Sequence, residues 1–236
     1  MNIDELKRQA GVYAAGLVQD GMVVGLGSGS TARFATEHIG ARLAAGDLRH
    51  IVGVPTSEET ARLARTLGIP LTDLDQQLFC DLTIDGADEV DPALNVIKGL
   101  GGCLLREKIV AYNTCREVIV VDQRKVSPRL GIVSPVPVEV VRFGWQRTRE
   151  ALARTGTQPV LRLRDGHPFV TDEGHYILDC RYTEPFAPHE LSQRLHAIPG
   201  VVEHGIFIGL ASEVIVATPQ GIGLLDVQSG QVRLTA

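Results

Sequence analysis

Three carboxylates and a lysine crowd the middle of the chain. Asp85 and Asp88 sit in Leu82-Thr-Ile-Asp-Gly-Ala-Asp-Glu-Val-Asp91. Lys98 and Glu107 follow in Ile97-Lys-Gly-Leu-Gly-Gly-Cys-Leu-Leu-Arg-Glu-Lys-Ile109. Asp85 and Asp88 are separated only by Gly86 and Ala87, a spacing that lets both side chains face one group. Neighbouring acids push each other's pKa values apart, so one can donate a proton while the other accepts. Lys98 introduces Gly99-Leu100-Gly101-Gly102, where glycines let backbone N–H groups approach a ligand without Cβ interference. Glu107, near the start of a helix and facing that turn, is a candidate general base.

The elements that must position these groups can be read from apolar spacing. A short apolar run over 82–84 predicts a buried strand, so residues 85–88 form the turn leaving its C-terminal end, the edge where open parallel α/β sheets bind ligands. Residues 104–111 carry helical spacing. Upstream, a helix is expected over 4–18 and a strand over 22–26. Gly25-Leu-Gly-Ser-Gly-Ser-Thr31 then leads into a helix over 32–44. Strand, glycine turn and helix N-terminus make a ready anion site, to which Ser28, Ser30 and Thr31 add hydroxyls. A dinucleotide fingerprint would need glycine where Ser30 stands and an acid ending the second strand, which instead runs into Pro55-Thr56-Ser57; a P-loop would need a lysine before Ser30 or Thr31. NAD and ATP are therefore disfavoured. A helix over 57–67 with Ser57 as N-cap and Gly68 as stop, a short edge strand over 69–72, and a strand over 117–121 ending in Asp122-Gln-Arg-Lys125 complete a βαβαβ order. Such alternation argues a doubly wound, mainly parallel sheet.

From about residue 127 the character changes. Pro128, Pro135 and Pro137 mark a connection. Strands over 138–142, 160–164, 176–180 and 201–207 then alternate with helices over 145–154 and 189–197 in a βαββαβ order, with turns at Asp165-Gly166 and Glu173-Gly174. That order suits a small ferredoxin-like α+β domain. Short strands over 213–217, 223–225 and 232–234 are expected to return to the first sheet. The fold class is thus α/β, a Rossmann-like sheet with a second, smaller domain; residues 1–127 with 208–236 form the first unit and 128–207 the second.

Composition excludes several classes. A hydrophobic fraction of 44%, a charged fraction of 22% and a net charge of -5 fit an ordinary globular protein and imply neither a nucleic-acid nor a membrane partner. The start, Met1-Asn-Ile-Asp-Glu-Leu-Lys-Arg, is a charged amphipathic helix without an apolar leader segment, and a cytoplasmic location is expected. Cys80, Cys103, Cys115 and Cys180 lack C-x-x-C spacing and read as reduced thiols, Cys103 included. The acidic run at 85–91 superficially suggests a calcium loop, but Val90 and Val96 stand where such a loop needs glycine and glutamate. The seven histidines lack metal-ligand spacing, so no metal is expected.

Five segments, in order across more than half the chain, resemble the A-type ribose-5-phosphate isomerases: Gly25 to Thr31, Asp85-Gly-Ala-Asp-Glu89, Lys98-Gly-Leu-Gly-Gly102 with Arg106-Glu-Lys108, Asp122 to Lys125, and Pro137-Val-Glu-Val140. The resemblance implies a metal-free, cofactor-free interconversion of D-ribose 5-phosphate and D-ribulose 5-phosphate through a cis-enediolate, and an oligomer, a homodimer with a tetramer as the alternative. Glu107 would move the carbon-bound proton, while Lys98 and the amides of Gly99 to Gly101 face the enediolate oxygens. Asp85 and Asp88, with Gly86, Ala87 and Leu100 beside them, would hold sugar hydroxyls and assist ring opening. Ser28, Gly29, Ser30, Thr31 and Lys125 would hold the phosphate. Two other readings stand beside this one: a sugar-phosphate-binding sensor of similar fold without catalysis, and a Schiff-base role for Lys98.

Overall fold

Successive side chains of a strand point to opposite faces, and the strand over Glu117–Asp122 uses both. Val118 and Val120 pack into one apolar cluster with Leu6, Ala10, Ala35 and Ile39, while Ile119 and Val121 pack into another with Val90, Val96, Ala111 and Phe207. Such a strand is central and covered on both sides, as a doubly wound sheet requires. The computed structural model describes residues 3–235. Met1, Asn2 and Ala236, which the expected amphipathic start and the outer limits of the first unit include, lie outside the described residues.

In chain order the first half runs α1 (Ile3–Ala15), β1 (Val23–Leu26), α2 (Ser30–Ala45), β2 (Val52–Pro55), α3 (Glu58–Thr66), β3 (Leu82–Gly86), β4 (Glu89–Val90), β5 (Val96–Ile97), α4 (Leu104–Tyr112) and β6 (Glu117–Asp122). The second half runs β7 (Val136–Val140), α5 (Trp145–Ala153), β8 (Thr157–Leu161), β9 (Leu163–Arg164), β10 (His167–Pro168), β11 (Tyr176–Tyr182), α6 (Pro188–His196), β12 (Val201–His204), β13 (Ile206–Phe207), β14 (Glu213–Thr218), β15 (Gly221–Leu225) and β16 (Val232–Leu234). The large sheet has the order β16-β15-β14-β6-β3-β1-β2, parallel from β14 to β2 with an antiparallel edge. The C-terminal ends of β1, β3 and β6 therefore lie side by side. The small sheet, β12-β7-β11-β8, is antiparallel and has the ferredoxin-like order.

The expected edge strand over 69–72 reduces to a single bridge between Leu71 and Gly53. Pro70 has no N–H to extend a ladder there. The expected strand over 201–207 is broken at Gly205: β12 pairs with β7 of the small sheet, whereas β13 pairs with β5 beneath the large one. The break holds the backbone of Lys98. Lys98 N–H donates to Gly205 C=O at 2.9 Å, and Gly205 N–H donates to Pro137 C=O at 2.7 Å. From α4, the ammonium of Lys108 donates to the carbonyls of His204 and Ile206 on either side of Gly205. A Cβ at residue 205 would lie 2.1 Å from the Lys98 carbonyl oxygen. Gly205→Ala is accordingly expected to lose about 1–3 kcal/mol of stability and, by displacing Lys98, to lower turnover about 10²-fold; urea unfolding and a turnover assay on the folded variant check both.

Candidate active site

At the end of β3, Asp85 is 1% exposed and Lys98 2%. Lys98 Nζ lies 3.0 Å from Asp85 Oδ2 and 3.2 Å from Glu107 Oε1, and donates to the Gly86 carbonyl at 2.5 Å. Asp85 Oδ1 accepts from the amides of Ser28, at 3.0 Å, and Gly86, at 2.7 Å. Glu107 comes from the first turn of α4, and its Oε2 is buried without any hydrogen-bond partner among the described residues. Burial pushes the Glu107 carboxyl up to about 8, against the pull of Lys98 and with the help of Asp85 and Asp88. Burial draws Lys98 down, but the carboxylates of Asp85 and Glu107 outweigh it and hold the ammonium above its ordinary range. A Schiff-base lysine must shed that proton, which this setting opposes.

Glu107 and Lys98 line a cavity of about 180 Å³ together with Gly86, Ala87, Asp88, Gly99 and Gly101. Drug-sized ligands occupy roughly 300–1,000 Å³, so the space suits a small metabolite and not a dinucleotide. Asp88 Oδ2 accepts from the Leu100 amide at 2.8 Å. That leaves the amides of Gly99 and Gly101 as the donors of the turn without a protein acceptor among the described residues. Leu100 turns its side chain to solvent, 42% exposed, and does not line the cavity. Asp85 does not line it either; it stands behind Lys98, with both oxygens engaged.

The same cavity is lined by Ser28, Gly29, Ser30 and Thr31 at the start of α2 and by Lys125 after β6. Gly29 takes a φ of 93° at the N-cap of α2, and no side chain caps that helix. The first N–H groups of the helix are free for an anion. The Ser28 hydroxyl points away from this role. It meets Thr56 Oγ1 and Ser57 Oγ, each at 2.8 Å, in a hydroxyl cluster that ties the glycine turn to the N-terminus of α3. There Ser57 is the N-cap, as its sequence position suggests, accepting from Thr60 N–H. Four lining residues go beyond the sequence expectation: Lys7, and Val121, Asp122 and Arg124 beside the expected Lys125. Arg124 is paired with Asp122 through two contacts of 2.8 and 3.0 Å. Neither Lys7 nor Lys125 is drawn into an ion pair among the described residues, though Lys125 is near enough to help hold the Asp122 carboxyl low, so they are the cations available to an anionic ligand.

The remaining acids of the central motif are spent inside the fold. Glu89, fully buried, accepts from the amides of Gly131, Ile132, Val133 and Ser134 and from the Ser127 hydroxyl, and thereby pins the connection into the small sheet. Asp91 accepts from the amides of Ala93 and Asn95. His196, Glu203 and His204 lie within reach of a common ion. The Lys108 ammonium already stands there, 2.7 Å from Glu203 Oε1 and 3.4 Å from His204 Nδ1. Burial pushes the Cys103 thiol up to about 12, which disfavours the thiolate that a nucleophile needs.

Comparison with known proteins matches this site and fold to one family. Residues 52–221 match the family model of ribose 5-phosphate isomerase A (phosphoriboisomerase A). The chain is 53% identical over 221 residues to a ribose-5-phosphate isomerase A of Roseiflexus castenholzii, covering 93% of this chain and 94% of that one. It is 54% identical over 226 residues to that of Gloeobacter violaceus, covering 95% and 97%. Among solved structures, a D-ribose-5-phosphate isomerase in complex with phospho-erythronic acid superposes with a TM-score of 0.92 at 40% identity, over 95% of this chain and 99% of the other. The ribose 5-phosphate isomerase of Plasmodium falciparum does so with a TM-score of 0.92 at 39% identity, over 94% and 98%. A sensor module without catalysis is not favoured by these relatives. With such identity over nearly its whole length, and with the fold superposing from end to end, this chain belongs to the ribose 5-phosphate isomerase A family.

Proposed function

We propose that the cavity at the ends of β1, β3 and β6 interconverts D-ribose 5-phosphate and D-ribulose 5-phosphate, with Glu107 as the base. The observation that carries this is the free, buried Oε2 of Glu107 in the same cavity as Lys98 and the start of α2. In the open-chain aldose, Glu107 takes the proton from C2, and the electron pair left behind forms the C1–C2 double bond as charge moves onto O1. Lys98 and the amides of Gly99 and Gly101 face that oxygen. A proton passes from O2 to O1, Glu107 returns its proton to C1, and the C2 carbonyl of the ketose forms. Asp88 faces the sugar hydroxyls; Asp85 acts through Lys98, fixing its ammonium. The phosphate rests on the first amides of α2 with Ser30, Thr31, Lys125 and Lys7, where its binding energy orients the sugar.

Turnover in D₂O containing EDTA tests the reading. Deuterium is expected at C1 of the ketose product, with activity retained. Activity that vanishes with the chelator and returns with a divalent metal would overturn transfer by a carboxylate alone. A base that must both take and return a proton works best with a pKa near the working pH, which the setting of Glu107 supplies. Its carboxyl must be ionised in the free enzyme, so kcat/KM is expected to climb about tenfold per pH unit on the acid side and level off above about 8. Lys98, held high, adds no falling limb near neutrality. A pH–rate profile in phosphate-free buffer checks this, and a flat acid side would remove the assignment.

The division into 1–127 with 208–236 and 128–207 is supported by separate apolar clusters, one under α1 and α2 and one between the small sheet and its helices. A homodimer rests on the resemblance and a cytoplasmic location on the composition; among the described residues no helix is long and apolar enough to cross a membrane. Sedimentation velocity on the purified protein tests the first.

A further inference from the structure

The glycine turn that faces the cavity is gripped from behind by a residue that follows the edge strand β8 of the small sheet. Arg162, between β8 and β9 and with a side chain 12% exposed, donates from Nη1 to the Gly99 carbonyl at 2.6 Å and to the Leu100 carbonyl at 3.1 Å. Its Nε donates to Asp179 Oδ2 at 2.9 Å and its Nη2 to Asp179 Oδ1, so the guanidinium is locked on β11 before it reaches the turn. A planar fork of this kind is pre-organised in a way that a lysine ammonium is not.

Peptide geometry then fixes what faces the substrate. In a trans peptide the C=O and the following N–H point in opposite directions. Gly99 C=O shares a peptide with Leu100 N–H, and Leu100 C=O shares one with Gly101 N–H. Holding both carbonyls on the Arg162 side sends both amides the other way. The Leu100 amide meets Asp88 Oδ2 at 2.8 Å, and Gly101 lines the cavity with its amide unspent. Glycine residues on both sides, with φ of 108° at Gly99 and 89° at Gly102, leave these peptides few steric restraints of their own. Besides the turn's own bond from Gly102 N–H to the Gly99 carbonyl at 3.0 Å, the restraint comes from Arg162, which alone among the described residues holds the Leu100 carbonyl, and from Phe169, whose ring would lie 2.3 Å from a Cβ at residue 102.

We propose that Arg162, anchored by Asp179, is a positioning residue for the isomerisation: it orients two consecutive peptides so that one amide holds Asp88 and the next faces the enediolate oxygen. This rests on the assignment of the turn to the enediolate made above. It adds that the small sheet, which contributes no lining residue to the cavity, sets the rate of the chemical step.

The test compares Arg162→Lys, Arg162→Ala and Asp179→Asn with the unaltered protein, each first shown folded by thermal unfolding. Four quantities are read: kcat, KM for ribose 5-phosphate, the dissociation constant of inorganic phosphate, and that of phospho-erythronic acid, whose carboxylate spreads negative charge over two oxygens as the enediolate does. Arg162→Ala is expected to lower kcat about 10- to 10²-fold, with KM and phosphate affinity within about threefold and affinity for phospho-erythronic acid falling in step with kcat. Millimolar methylguanidinium is expected to restore part of kcat in Arg162→Ala and none in Asp179→Asn. A folded Arg162→Ala with unchanged kcat would overturn the proposal, as would equal losses in KM, phosphate affinity and kcat, which mark a general disturbance of the site. Failure of the Glu107 assignment looks different: it shows as retained turnover in Glu107→Gln, whatever happens at Arg162.

Discussion

Glutamine in place of Glu107 is expected to lower kcat by about 10⁴-fold, the upper end of what a positioned acid–base group supplies, with KM changed no more than a few-fold. Of the two oxygens of Glu107, Oε1 is 3.2 Å from Lys98 and Oε2 has no partner. An amide can keep the first contact but has no lone pair basic enough to take a proton from carbon. The proposed phosphate site uses other elements, α2 and the turn after β6, so ground-state binding is expected to survive the change. Steady-state kinetics on the folded variant decide the matter; turnover near that of the unaltered protein would leave the chain without a base.

The same substitution has a stability signature of predictable sign. Burial raises the Glu107 carboxyl from 4.5 in the unfolded chain to about 8 in the folded one. A carboxyl with a raised folded-state pKa stabilises the fold below its unfolded value and loses that contribution as pH rises through the folded one. Glu107→Gln, which cannot ionise, should therefore gain on the unaltered protein as pH is raised from 4.5 to about 8. Urea midpoints at the two ends of that range measure the gain. Loss of activity accompanied by a rise in relative stability is what a residue kept for chemistry, at some expense to the fold, would show.

How far the sequence reaches can be judged residue by residue. Lys98, Glu107 and Asp88 meet as their spacing suggests, because a strand end, a glycine turn and a helix start leave short connections little freedom to separate them. Glu107 faces the same cavity as residues 28–31 because β1 and β3 are adjacent parallel strands, a pairing that follows from the βαβαβ order. Lys7 carried no signal: a lysine on an amphipathic helix is ordinary, and only the packing of α1 against α2 and β6 brings it to the cavity. Arg162 is equally silent, since its target lies 63 positions away in the glycine turn after β5. Ser28 lines the cavity as expected, but with its hydroxyl engaged elsewhere. Its hydroxyl sits in a glycine-rich turn that suggests a phosphate contact, yet Thr56 and Ser57 stand nearer. The break at Gly205 was open to reading, because a glycine inside an apolar strand pattern often marks close backbone approach; here the approach is to Lys98.

Lys98 joins stability to catalysis, and the two can be pulled apart. Lys98→Met is expected to lower kcat about 10²–10³-fold, the usual loss for one donor to a developing oxyanion. It should also destabilise the fold by about 3–5 kcal/mol, because removing one member of a buried ion pair leaves its partner's charge uncompensated. The stranded partner is Asp85, 1% exposed and already pushed up by burial, so without Lys98 both it and Glu107 shed charge only by taking up protons. Adding Asp85→Asn removes the stranded charge, and the Asn carbonyl can still accept from the amides of Ser28 and Gly86 that Oδ1 now serves. The double variant should therefore recover most of the lost stability and none of the lost activity. Urea unfolding and turnover measured on both variants test the two halves together. Recovered activity would mean that the ammonium serves only to neutralise Asp85; an unrecovered midpoint would mean that the lysine's contact with the Gly86 carbonyl, and not its charge, holds this corner of the sheet.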